Sequence, residues 1–159
     1  MINHRKITLF IPGLTLILIA ALLVLSATPS WAAGIWETVG SAGFSAGSAQ
    51  YTSLAFDGSG TPYVAFQDGE NSHKATVMTF NGTTWETVGA AGFSDGTAVN
   101  TSLAVQSSGN PLVAYMDMAN GGKASVKYFD GALWQDVGAD GFTAGTADYT
   151  SLALDDSGT

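Results

Sequence analysis

The chain has 159 residues, 20 of them glycine and none cysteine, with 13 acidic side chains against 5 basic ones. The lack of cysteine excludes a disulfide framework, a thiolate metal site and a lipoprotein anchor, and a net charge of −8 argues against nucleic acid and anionic membrane surfaces as partners. Low charge with many aromatic and β-branched residues suits an all-β chain of short strands and tight turns.

The N-terminus has a cationic head, His4-Arg5-Lys6, then an apolar run from Ile7 to Leu25 broken only by Pro12-Gly13. Ser30 and Ala32 occupy the −3 and −1 positions of a cleavage site. Residues 1–32 therefore read as a signal peptide cut after Ala32, which predicts a secreted, periplasmic or cell-surface protein. Left uncut, the same run is long enough to span a bilayer, which takes about 20 apolar residues. That anchor is the one membrane association expected. After cleavage Lys74, Lys123 and Lys127 face thirteen carboxylates with no arginine, a net charge of −10.

From Trp36 the chain repeats without gaps every 49 residues, and 27 of 49 positions are identical between the first two copies. A period of this size marks a propeller or solenoid. Within one copy four strand-like runs follow in order: Tyr51 to Phe56, Pro62 to Gln67, Lys74 to Phe80, and Thr83 to Val88. Asn81-Gly82, matched by Asp130-Gly131, is predicted to be a two-residue hairpin turn. The connection from Gly89 to Asn100 has no helical periodicity. The consecutive apolar run Tyr63 to Phe66 predicts a strand covered on both faces.

Four antiparallel strands per repeat are the blade of a β-propeller. The expected layout of the repeat domain, 33–159, is the last strand of one blade with its connector (35–49), a blade (50–89), a second blade (99–138) and a partial blade (148–159). That is an incomplete ring, whose unpaired edges predict self-association.

The elements W-x-x-V-G, T-S-L-A, S-G-x-P-x-V-A-[FY], K-A-x-V and [ND]-G-x-x-W resemble the blades of secreted bacterial β-propeller repeat proteins. They depart from the WD-repeat and kelch patterns. Asn81-Gly82-Thr83-Thr84-Trp85 is also similar to the Asp box of sialidase propellers, one residue short. The resemblance implies architecture and leaves activity open.

No catalytic constellation is found. His73 stands alone in a loop and Gly122 replaces it in the next copy; no nucleophile elbow, paired-His motif or phosphate loop occurs. The turn carboxylates do not match a calcium loop, so neither a metal nor a cofactor is expected. The tryptophans at 36, 85 and 134 are expected in the core between blades.

The candidate ligand-binding residues are Asp68, Asn71 and Lys74, matched by Asp117, Asn120 and Lys123 in an otherwise variable loop. On exposed turns, acid and amide together would suit the hydroxyls of a neutral glycan. Turn closure by the aspartates explains the same pattern. The function expected is a non-catalytic binding or adhesion module, taking a neutral glycan or a protein surface through repeated weak sites. The alternative is a scaffold section of a larger secreted or surface protein, joined to an enzyme domain.

Overall fold

The computed structural model describes residues 36–155. The expected signal peptide, Ile35 at the start of the first expected strand, and residues 156–159 lie outside them. Both sheets belong to the compact unit Thr38–Thr159.

Among the described residues eight strands form: β1 (Ala49–Phe56), β2 (Pro62–Asp68), β3 (Lys74–Phe80), β4 (Trp85–Thr87), β5 (Ala98–Val105), β6 (Pro111–Asp117), β7 (Lys123–Phe129) and β8 (Trp134–Asp136). They make two four-stranded antiparallel sheets, ordered β1-β2-β3-β4 and β5-β6-β7-β8. Among the described residues there is no α-helix, only a 3₁₀ turn over Met118–Asn120. One four-stranded sheet per repeat is what the sequence pattern predicts. No strand forms over 36–39 or 148–155, where a strand was expected in each case.

The hairpin turns also differ from expectation. Gly82 and Gly131 have φ of 95° and 99°, but Asn81 and Asp130 do not take positive φ, so these are not two-residue turns. Four residues connect β3 to β4, because Asn81 Oδ1 accepts from the amides of Thr83 and Thr84, both at 2.9 Å. Asp130 Oδ1 does the same for Ala132 and Leu133 at 2.8 Å. A side chain that bonds nearby backbone groups mimics a turn by itself, and it shortens the fourth strand by holding residues 83 and 84. Asp57, in the turn after β1, accepts from Ser59 Oγ and from the amides of Thr61 and Ser59. Those bonds hold its carboxyl below the ordinary carboxylate range. They stabilise the turn above its unfolded-state pKa, and the gain is lost as pH falls through the folded value.

The inner strands explain the repeated Thr-Ser-Leu. Tyr51, Asn100 and Tyr149 have φ of 50°, 53° and 56°, and the β1–β2 and β5–β6 registers shift at the first two of these positions. A bulge with a left-handed residue bends the strand and re-aims the side chains beyond it. Here it lets Thr101 Oγ1 donate to the Tyr51 carbonyl and Thr150 Oγ1 to the Asn100 carbonyl. The amides of Leu103 and Leu152 donate to Ser53 and Ser102 Oγ at 3.0 and 2.9 Å. Each copy is stitched to the next along its innermost strand.

The core lies between the sheets, where Tyr63, Ala65, Ala75 and Val77 of the first meet Leu103, Val113 and Tyr115 of the second. Leu54 holds the position in β1 that Leu103 holds in β5, yet Leu54 is 58% exposed and Leu103 only 6%. The difference is the neighbouring sheet that covers Leu103. Ala65, in the middle of β2, lets the sheets approach closely.

The connector between the sheets runs back across β3 before entering β5. Val88 and Phe93 donate to the carbonyls of Val77 and Ala75, both at 2.9 Å. Phe93 stacks on Trp134 with ring centroids 3.8 Å apart, and Trp134 Nε1 donates to the Val88 carbonyl at 3.0 Å. Phe44, Trp85 and Val39 repeat that arrangement one copy earlier. Trp134 therefore clamps the connector while packing against the edge of the core between the sheets, whereas Trp36 is 99% exposed. Gly89, at φ 68°, is pressed so closely that a Cβ there would stand 2.6 Å from the Phe129 ring. Gly82 needs positive φ as well but has open space around it. Gly89→Ala is therefore expected to cost about 1–3 kcal/mol more than Gly82→Ala, through overpacking, as read by urea unfolding of both variants.

Candidate functional site

The six residues singled out by the repeat gather at one end of the sheets, in the loops after β2 and β6. Asp68 ends β2 and pairs across the ladder with Lys74; Asp117 ends β6 and pairs with Lys123. Both aspartates are buried, at 3% and 0% exposure. This differs from the exposed turns the sequence led us to expect. The cause is the hydrogen bonding of the loop itself. Asp68 Oδ1 accepts from the Glu70 amide at 3.0 Å, and Oδ2 accepts from Asn71 Nδ2 and Thr76 Oγ1, both at 2.9 Å. Asp117 receives the Ala119 amide, Asn120 Nδ2 and Ser125 Oγ at 3.0, 2.8 and 2.9 Å.

A second set of contacts closes the arrangement from above. The connector's Gly92 donates its amide to Thr76 Oγ1 at 2.9 Å, and Gly141 donates to Ser125 Oγ at 2.8 Å. A Cβ on Gly92 would lie 2.9 Å from Asn71 Cβ, and one on Gly141 would lie 2.8 Å from Asn120 Cβ. Lys74 and Lys123 flank the same glycines, their Cβ atoms 3.5 and 3.4 Å from those positions. The two lysines are half-buried. Aspartate, hydroxyl and glycine amide thus form a relay that seats the connector on the loop.

What the loops present outward is different in the two copies. Glu70, Ser72 and His73 are exposed in the first, Met118, Ala119 and Gly121 in the second. Ser72 and His73 have φ of 57° and 61°, where the second copy has Gly121 and Gly122 at 69° and 76°. The first loop therefore keeps two side chains in a backbone conformation that costs about 1–2 kcal/mol per non-glycine residue.

A further cluster escaped the sequence reading. Lys127, opposite Asp136 in the β7–β8 register, is buried, and its ammonium bonds Asp136. Asp95 and Asp140 lie 3.7 and 3.9 Å from it. Burial works against the Lys127 charge, but Asp136, Asp140 and Asp95 outweigh it and raise the pKa. Burial also raises Asp140, with Lys127 pulling the other way and Asp136 and Asp95 adding to the rise. Position by position, 49 residues earlier, stand Met78, Thr87, Ala46 and Ala91. Comparing the copies for concerted gains of charge would have found the cluster.

An open groove of about 360 Å³ lies at the opposite end of the first sheet, beside Pro62 and Phe80, and holds none of these groups. No protein-family model and no curated protein matches the chain.

Each buried aspartate accepts three hydrogen bonds as a charged group, so its loss leaves the donors unpaired. Asp68→Ala and Asp117→Ala are each expected to destabilise the fold by about 2–3 kcal/mol. Denaturant titration beside Asp57→Ala, whose partner Ser59 is exposed and Thr61 half-buried, checks this; a change in such an open turn is expected to cost far less.

Proposed function

We propose that the chain is a run of β-propeller-type blades serving as a non-catalytic, exported binding module. It meets a neutral glycan or a protein surface through the outward residues of the loops after β2 and β6. In this reading Asp68, Asn71 and Lys74, with Asp117, Asn120 and Lys123, hold the loops in shape, and the variable positions between them make contact. The face carrying Leu54 and Phe56 is the seat of another blade of the same kind, or of a second copy, since its counterpart around Leu103 is covered in that way.

The observation that carries the reading is Ser72-His73 held at positive φ where the second copy has two glycines. Strained non-glycine residues at a loop tip are retained when their side chains are used. The low charge of the loops and the acidity of the chain favour a neutral or cationic ligand over a phosphate or sialic acid. One observation favours the scaffold alternative: the carboxylates of Asp68 and Asp117 are already engaged by their own loops.

The Ser72→Gly, His73→Gly double variant separates the two. Relief of backbone strain is expected to leave stability unchanged or raise it by up to about 1 kcal/mol, while binding of the full chain to a glycan array or to immobilised surface proteins falls. Binding by the parent that survives the double variant would place contact elsewhere. No binding by the parent to any glycan or protein would leave the scaffold.

A further inference from the structure

The contact that joins one copy of the repeat to the next has a direction. Thr101 Oγ1 and the Leu103 amide of β5 donate, and the Tyr51 carbonyl and Ser53 Oγ of β1 accept. One repeat later Thr150 Oγ1 and the Leu152 amide donate, and the Asn100 carbonyl and Ser102 Oγ accept. Each inner segment gives bonds to the copy before it and takes them from the copy after it. β5 does both. Among the described residues, β1 and the segment 148–155 each do half.

β1 keeps the giving half unused. Leu54 stands opposite Val64 as Leu103 stands opposite Val113, so its amide leaves the sheet on the same side as that of Leu103. Thr52 and Leu54 are exposed where Thr101 and Leu103 are buried. Phe56, beyond them on the same strand, is 57% exposed.

The segment 148–155 keeps the taking half. Tyr149 has φ of 56°, beside 50° for Tyr51 and 53° for Asn100, so its carbonyl is aimed like the two that already accept a threonine. Tyr149 is 88% exposed, and Ser151 is exposed as well. The two halves have one sequence, Tyr-Thr-Ser-Leu-Ala, at 51–55 and at 149–153. A donor row on one face and its matching acceptor row on another make a heterologous contact, by which copies join head to tail.

Inner segments carry the larger part of such a joint. β5 meets the first sheet chiefly through β1, less through β2 and least through β3. The segment 148–155 can therefore offer β1 of another chain most of what β1 offers β5. The side chains concerned are uncharged: Thr52, Leu54 and Phe56 on one side, Tyr149, Ser151 and Ala153 on the other. The shared acidity of two chains thus opposes the contact with no ion pair to offset it.

We propose that the chain binds a second copy of itself head to tail, Thr52 Oγ1 and the Leu54 amide of one copy donating to the Tyr149 carbonyl and Ser151 Oγ of the other. This rests on the reading of the Leu54 and Phe56 face given above, and commits that face to one partner. Continuing the stack keeps the loops after β2 and β6 at one end, so association multiplies weak sites without any new contact to a ligand.

The test is sedimentation velocity of the full chain between about 10 μM and 1 mM, the range of weak association. Association that grows with concentration is expected, and it should tighten as salt shortens the screening length from about 10 Å to about 3 Å. Leu54→Lys blocks the donor side and Ser151→Lys the acceptor side; both positions are exposed, so urea unfolding should match the parent. Each variant alone should associate at least about tenfold more weakly. An equal mixture of the two should restore a one-to-one pair, since one retains the acceptors and the other the donors. Thr52→Val, which removes one donor at nearly constant volume, should weaken the parent about fivefold, and serves if Leu54→Lys fails to fold. A parent that stays monomeric throughout would overturn the proposal. So would association that survives in either lysine variant alone, or a mixture that associates no better than its components. The glycan array reports separately, because the loops are untouched. A monomeric parent that binds there ends this inference and leaves the binding module standing; an associating parent that binds nothing does the reverse.

Discussion

A carboxylate buried at the end of the second strand of each sheet is the contact on which the rest of the arrangement depends. Asp68 and Asp117 each accept from a threonine or serine hydroxyl on the neighbouring strand, and that hydroxyl in turn accepts from a glycine amide of the connector. A charged acceptor polarises such a chain of bonds, which strengthens it in a setting of low dielectric. The connector can lie down on the loop only because its residue at the contact is glycine, with no Cβ to meet Asn71 or Asn120. Once seated, it carries Phe93 to Trp134 and feeds β5 into place beside β1. Turn closure and inter-sheet packing are thus one device, read twice along the chain.

The architecture of the sheets was legible because the repeat multiplies weak signals. A single run such as Tyr63 to Phe66 is ambiguous; its recurrence with proline at the entry and aspartate at the exit is not. The bounds of β3 match the pattern residue for residue. The turn after it was misread because Asn-Gly is a strong two-residue signal, and nothing local says that Asn81 will use its side-chain oxygen on two amides instead. The same limit hid the burial of Asp68. Polar triplets in a loop look exposed until the partner that covers them is known, and here that partner is the connector's Gly92, about twenty residues on.

The two copies also show which substitutions had to move together. Asn81 donates its amide to Glu86, whereas Asp130 accepts from Gln135, so acid and amide have exchanged places and kept one bond. Met78 and Thr87 face each other in one sheet, Lys127 and Asp136 in the other. The first exchange is neutral in charge and belongs to turn upkeep. The second brings an ion pair into a position where an uncharged pair suffices for folding, and a pair whose acid is 44% exposed contributes little stability. Differences of the second kind are where a repeat protein departs from its own template.

Amide hydrogen exchange tests the central claim most directly. The relay predicts that Gly92 and Phe93 exchange slowly in the parent chain, since both amides are bonded to β3. In Asp68→Ala, Gly92 exchange should accelerate sharply, while Leu103, held by Ser53 on the inner strand, should change much less. If Asp68→Ala leaves Gly92 as protected as before, the buried carboxylate does not seat the connector, and the account of how the sheets are joined is wrong.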